Sequence, residues 1–61
     1  EISNNCHIST GAIINGGVKI GTDTFIGSGS IIKNDIQIGK GCTIVMWMII
    51  KKKIENGKIL K

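Results

Sequence analysis

Isoleucine recurs at every sixth position along almost the whole of this 61-residue chain. Nine consecutive positions in this series are isoleucine: Ile2, Ile8, Ile14, Ile20, Ile26, Ile32, Ile38, Ile44 and Ile50. A second series, four residues after each of these, is uncharged and mostly small or apolar: Cys6, Ala12, Val18, Thr24, Ser30, Ile36, Cys42, Met48 and Ile54. Neither a helical period of 3.6 nor a strand period of 2.0 produces this spacing. The pattern therefore indicates a true repeat in which both series face one interior.

Each six-residue unit is predicted to be a short strand followed by a corner. The residue after the isoleucine is Gly21, Gly27 and Gly39 in three units and Asn15 in a fourth. These residue types tolerate a positive φ, so we expect the corner conformation at these positions. No helix of more than one turn is expected before residue 50. Short strands joined by corners stack into a parallel β-helix.

Three stretches carry a family resemblance: "HISTGAIINGGVKIG" (7–21), "FIGSGSII" (25–32) and "IQIGKGCTI" (36–44). They resemble the hexapeptide-repeat acyltransferases, and more narrowly the C-terminal part of bacterial sugar acetyltransferases. These are the nucleotide-amino-sugar N-acetyltransferases and the sialic acid O-acetyltransferases. The resemblance covers about residues 2–44. It implies an all-β fold, a left-handed parallel β-helix of about three triangular coils built from hexapeptide repeats.

Three units per coil place residues 18 apart directly above one another. The outward position before each isoleucine then sorts into three columns, which are His7, Phe25 and Thr43; Ile13, Ile31 and Ile49; and Lys19 and Gln37. An outward isoleucine ladder would leave a contiguous apolar stripe in water. We therefore expect copies of the same prism around a threefold axis to cover it, which predicts a homotrimer through Ile13, Ile31 and Ile49. A chain this short would be marginal alone, since it buries only about 60% of its unfolded surface.

Both cysteines are predicted to be buried free thiols. Cys6, Thr24 and Cys42 fall in one interior column, and two strand spacings separate the cysteines by about 9.6 Å. That exceeds disulfide reach, and free thiols fit a reducing compartment. One histidine and two cysteines do not match a zinc-binding spacing, so no metal site is predicted.

Charge and hydropathy exclude two other classes of partner. The net charge of +4 comes from eight lysines without any arginine, and Phe25 and Trp47 are the only aromatic residues besides histidine. Without arginine forks or aromatic stacking platforms, nucleic acid is not an expected partner. The longest apolar run, "IVMWMII" (44–50), is far short of the roughly 20 residues of a membrane helix. The polar opening "EISNN" does not resemble a signal peptide, so the cytoplasm is the expected location.

The resemblance also implies a chemistry: acetyl-CoA as donor, a sugar amine or hydroxyl as acceptor, and active sites between subunits. The catalytic histidine of the family would fall before Glu1, as would its nucleotide-binding domain. His7 matches a histidine near the acetyl-CoA thioester, where an imidazole N–H can donate to the carbonyl oxygen. The predicted cofactor-binding residues are His7, Gly16, Ser28 and Gly39, and no residue of this chain is predicted to be catalytic.

Two alternatives remain open at this stage. Where the family has isoleucine, glycine, any residue and glycine, this chain has Ile44, Val45, Met46 and Trp47. The small residues of the family leave room for the pantetheine arm, so Val45 and Trp47 could block it and leave a structural trimerisation module. In the second alternative, the chain is an acetyltransferase of another branch with His7 as general base. His7 could also simply pack against its neighbours.

The repeat predicts a boundary near residue 50. The period holds through Ile50 and fails at Asn56, so the chain divides into a prism (1–50) and a basic C-terminal extension (51–61). Two roles are compatible with Lys51 to Lys53. They could meet the phosphates of CoA, or they could form a solvated edge that discourages the addition of a further strand.

Overall fold

The computed structural model describes residues 1–61 and contains nine strands of two residues each. The strands are β1 (His7–Ile8), β2 (Ile13–Ile14), β3 (Lys19–Ile20), β4 (Phe25–Ile26), β5 (Ile31–Ile32), β6 (Gln37–Ile38), β7 (Thr43–Ile44), β8 (Ile49–Ile50) and β9 (Ile59–Leu60). There is no helix, and hence none that could cross a membrane.

The strands form three parallel ladders, one for each side of a triangular prism. The orders are β1-β4-β7-β9, β2-β5-β8 and β3-β6, which we call the His7 face, the isoleucine face and the Lys19 face. Each strand pairs with the one three units later, as His7 does with Phe25. The predicted fold, a left-handed parallel β-helix of about three triangular coils, is confirmed.

The interior is filled by the two series that the sequence placed there. Ile20, Ile26 and Ile32 are at most 1% exposed, so the predicted register is confirmed. Ile2 is the one isoleucine of the inward series that is exposed, at 49%. It lies in the first coil and pairs with Ile20 of the second, so only one side of it is covered.

Interior hydroxyl groups link successive coils. Thr24 donates its hydroxyl hydrogen to the Gly39 carbonyl (2.8 Å) and accepts the backbone N–H of Cys42 (3.2 Å). Ser30 does the same one corner later, and no buried side-chain polar atom lacks a partner. Cys6 and Cys42 are free thiols, as predicted, but only Cys42 is buried, and Cys6 in the first coil is partly exposed. Satisfied hydroxyls therefore add no desolvation penalty to a core that is otherwise apolar.

The corners join the faces in a fixed order. The first corner follows the His7 face (9–12, 27–30 and 45–48). The second follows the isoleucine face (15–18, 33–36 and 51–53), and the third follows the Lys19 face (3–6, 21–24, 39–42 and 55–58).

The predicted location of the positive-φ residue in each corner is wrong. None of the four residues named above, from Asn15 to Gly39, has a positive φ. The residues with positive φ lie three positions before the inward isoleucine or, for the last of them, before Leu60. They are Asn5, Gly11, Gly17, Asp23, Gly29, Asp35, Gly41, Trp47 and Gly57. The glycines after the isoleucine serve close approach instead. A Cβ on Gly21 would lie 2.7 Å from the Gly39 carbonyl carbon of the next coil.

Strand pairing continues beyond residue 50. Ile54 bridges to Ile38, and Leu60 pairs with Ile44. Ile44 and Leu60 are separated by two residues fewer in the sequence than Ile26 and Ile44. The second corner of this coil (51–53) is therefore shortened, so the end of the sequence period at residue 50 is not the end of the ladders.

Candidate functional site

His7 lies at an outward, exposed position of β1 on the His7 face. Its backbone N–H donates to the Thr24 carbonyl (3.0 Å), which anchors the strand. Its ring stacks on Phe25 of the next coil, with centroids 5.1 Å apart and planes 13° apart. Neither ring nitrogen has a hydrogen-bond partner within the chain. The imidazole is therefore available to a ligand or to a second copy.

Ser28 lies in the first corner, where Trp47 contacts both its carbonyl and the neighbouring Gly29. The Ser28 carbonyl accepts the backbone N–H of Trp47 (2.9 Å). The Trp47 indole lies against Gly29, close enough that a Cβ on Gly29 would collide with the ring. Trp47 itself adopts φ +64° and is 73% exposed. The side chain that departs from the family pattern thus covers the corner beside a predicted cofactor residue.

Gly16 and Gly39 lie at the other two corners. Gly16, in the second corner, is exposed, and a Cβ there would meet nothing within 4 Å. Gly39, in the third corner, is covered by Asn56, whose Oδ1 accepts the backbone N–H of Lys40 (2.8 Å). A cavity of 260 Å³ opens beside Gly39, with Lys53 and Asn56 in its wall. The structure gives Gly39 a packing role, and its contact with a cofactor stays a prediction.

A single chain does not gather the four predicted cofactor residues into one site. Only His7 and Ser28 adjoin a common corner, the first, while Gly16 and Gly39 lie at separate corners. Sites formed between subunits stay a prediction. Phe25 is not among the predicted site residues, although the predicted columns already placed it next to His7 on the same face.

The charged groups form no ordered network. Lys51, Lys52 and Lys53 are exposed at the second corner. The one ion pair, Lys53 with Glu55 at 4.0 Å, joins two exposed side chains and contributes little to stability. No group of three or more metal-binding side chains comes together.

Comparison with known proteins identifies the family. The family described as bacterial transferase hexapeptide (six repeats) matches residues 1–34, more than half of the chain. The chain belongs to the bacterial hexapeptide transferases. This confirms the predicted resemblance at the level of the superfamily. A search of curated proteins gave no match.

A solved structure extends the likeness of this hexapeptide transferase beyond the matched repeats. It is the acetyltransferase domain of PglB from Neisseria gonorrhoeae FA1090, in complex with acetyl coenzyme A. The TM-score is 0.87 and the sequence identity 31%, over 88% of this chain. The chain spans 26% of that domain.

Proposed function

We propose that this chain is the acetyl-CoA-binding, trimer-forming portion of an acetyltransferase that acts on a sugar amine or hydroxyl. The likeness to an acetyltransferase domain solved with acetyl coenzyme A, at 31% identity and a TM-score of 0.87, carries this proposal. The sequence resemblance to nucleotide-amino-sugar N-acetyltransferases and sialic acid O-acetyltransferases supports a sugar acceptor. The free thiols Cys6 and Cys42 are compatible with a cytoplasmic location.

The proposed chemistry gives His7 a donor role. The acceptor nitrogen or oxygen attacks the thioester carbonyl carbon and gives up its proton to a general base that this chain is not expected to supply. Negative charge develops on the carbonyl oxygen and passes to the CoA thiolate as the carbon–sulfur bond breaks. A preorganised N–H aimed at that oxygen stabilises the charge as it develops. His7 is suited to this role because its exposed ring has unpartnered nitrogens.

The trimer part of the proposal rests on the isoleucine face. Ile13 and Ile49 are 52% and 55% exposed, and Ile31 lies between them in the same ladder. The Lys19 face, by contrast, presents Lys19 and Gln37 to water. A prism with one apolar and one polar face is expected to bury the apolar one against copies of itself.

Titration calorimetry with acetyl-CoA and with CoA tests donor binding. The native chain should bind both weakly. His7→Ala should weaken binding of acetyl-CoA more than that of CoA, because only acetyl-CoA carries the thioester oxygen. Asn4→Ala, which alters an exposed, uncharged side chain of the first coil, is the matched control. A native trimer that binds neither compound would refute the proposal.

A structural trimerisation module is the second candidate function. The observation that favours it is the Trp47 indole, which lies against Gly29. The family pattern has glycine at the position of Trp47. In that case the chain would sediment as a trimer and give no calorimetric signal with either compound. Trimerisation without donor binding thus separates the two candidates.

The third candidate, His7 as general base, is tested by acetyl transfer to amino sugars. We expect the 61-residue chain alone to show no enzyme-like turnover. A positioned base contributes about 10²- to 10⁴-fold, and a His7 that donates to the thioester oxygen does not also remove the acceptor proton. Robust transfer that His7→Ala abolishes would instead make His7 the base.

A further inference from the structure

We infer that Phe25 is a positioning residue for His7, holding the imidazole in one orientation toward the thioester oxygen of the donor. The inference rests on the proposed function for its ligand. The stack itself is a property of the free protein, so the two can be tested separately.

The stack is built by the register of the prism. His7 and Phe25 are directly paired in neighbouring coils of the His7 face. Their rings lie nearly parallel, with 13° between the planes and 5.1 Å between the centroids, the offset arrangement that aromatic pairs favour. No other aromatic ring stacks within the chain.

Phe25 has no comparable role in the core. It is 40% exposed and does not belong to the buried apolar cluster, which the inward Ile26 beside it joins. The next outward residue of the same column is the polar Thr43. The main contact of this partly exposed phenyl ring is therefore its stack on the His7 imidazole.

The consequence is preorganisation of an otherwise free side chain. The His7 ring has no hydrogen bond that would fix it, so stacking is the contact that limits its rotamers. A donor held in place before the ligand arrives loses less conformational freedom on binding. An aromatic pair of this kind corresponds to roughly a two- to tenfold change in an equilibrium constant.

Calorimetry on Phe25 variants provides the binding test. Phe25→Leu should weaken acetyl-CoA binding about two- to tenfold and leave CoA binding unchanged. Phe25→Tyr, which keeps the ring, should restore native affinity. In a His7→Ala background, Phe25→Leu should have no further effect, because Phe25 acts through His7. An equal loss in that background, or an equal loss for CoA, would overturn the inference.

Proton NMR of the ligand-free protein tests the stack without the donor. The imidazole protons of His7 should resonate upfield in the native protein and in Phe25→Tyr, and return to ordinary positions in Phe25→Leu. Identical His7 shifts in all three proteins would show that the rings are not stacked in solution and would overturn the inference. Failure to bind acetyl-CoA, with the upfield shift intact, would overturn the proposed function and leave the stack standing.

Discussion

The identity of several residues is decided by their distance from the neighbouring coil. Gly27 is fully enclosed, and a Cβ there would lie 2.5 Å from the carbonyl carbon of Val45 and 2.8 Å from the Ile44 oxygen. These are backbone atoms, which cannot move aside as the end of a flexible side chain can. Gly16 has the opposite environment, because nothing lies within 4 Å of the equivalent position.

These two glycines make a matched pair of substitutions. Gly27→Ala should lower the free energy of unfolding by about 1–3 kcal/mol, because the added methyl group overpacks the contact between coils. Gly16→Ala, at an ordinary φ, should leave it unchanged or raise it by about 0.4–1 kcal/mol. Urea unfolding followed by circular dichroism at one protein concentration measures both. Equal effects would contradict the close-approach explanation.

Element by element, the columns could be predicted and the corners could not. The six-residue period fixes which side of a strand faces inward, and the three units per coil that the family resemblance implies then pair His7 with Phe25. The positions with positive φ could not be predicted in this way. Glycine occurs both where φ is positive and where two coils approach closely, and the contacts with the next coil distinguish the two cases. The shortened corner before Ile54 was missed for a similar reason: a two-residue deletion ends the sequence period but not the strand ladder.

The first corner carries the prediction for donor binding. Trp47 holds a left-handed backbone that costs a residue with a Cβ about 1–2 kcal/mol, and its indole lies against Gly29. Replacing both Val45 and Trp47 by glycine removes the indole and relieves this strain. The double variant should therefore bind CoA more tightly than the native chain in calorimetry.

Met46 supplies the control for this corner. It lies between the two substituted residues and is 61% exposed, so Met46→Ala removes apolar surface from the same corner without uncovering Gly29. CoA affinity should stay at its native value in this variant. If the double glycine variant also leaves the affinity unchanged, the donor pocket lies elsewhere.

At the scale of the whole molecule, a single prism does not bring the four predicted cofactor residues together. His7 and Ser28 adjoin the first corner, whereas Gly16 and Gly39 lie at the second and third. A repeat in the sequence specifies positions within one prism and carries no information on how prisms meet. For this reason the parallel β-helix could be predicted from the period of six, and its triangular, left-handed form from the family resemblance, while the arrangement of the site could not.

The oligomer prediction concerns the isoleucine face. Ile31 is the middle residue of the ladder and is already half-buried in the single chain, between the more exposed Ile13 and Ile49. Ile31→Lys would place an unpaired ammonium at the centre of the contact in every copy, at a cost of several kcal/mol each. Sedimentation velocity should show a trimer for the native chain and a monomer or aggregate for the variant. Gln37→Lys adds the same charge at an exposed position of the Lys19 face and should leave the trimer intact. A trimer that tolerates lysine at position 31 would place the contact on another face.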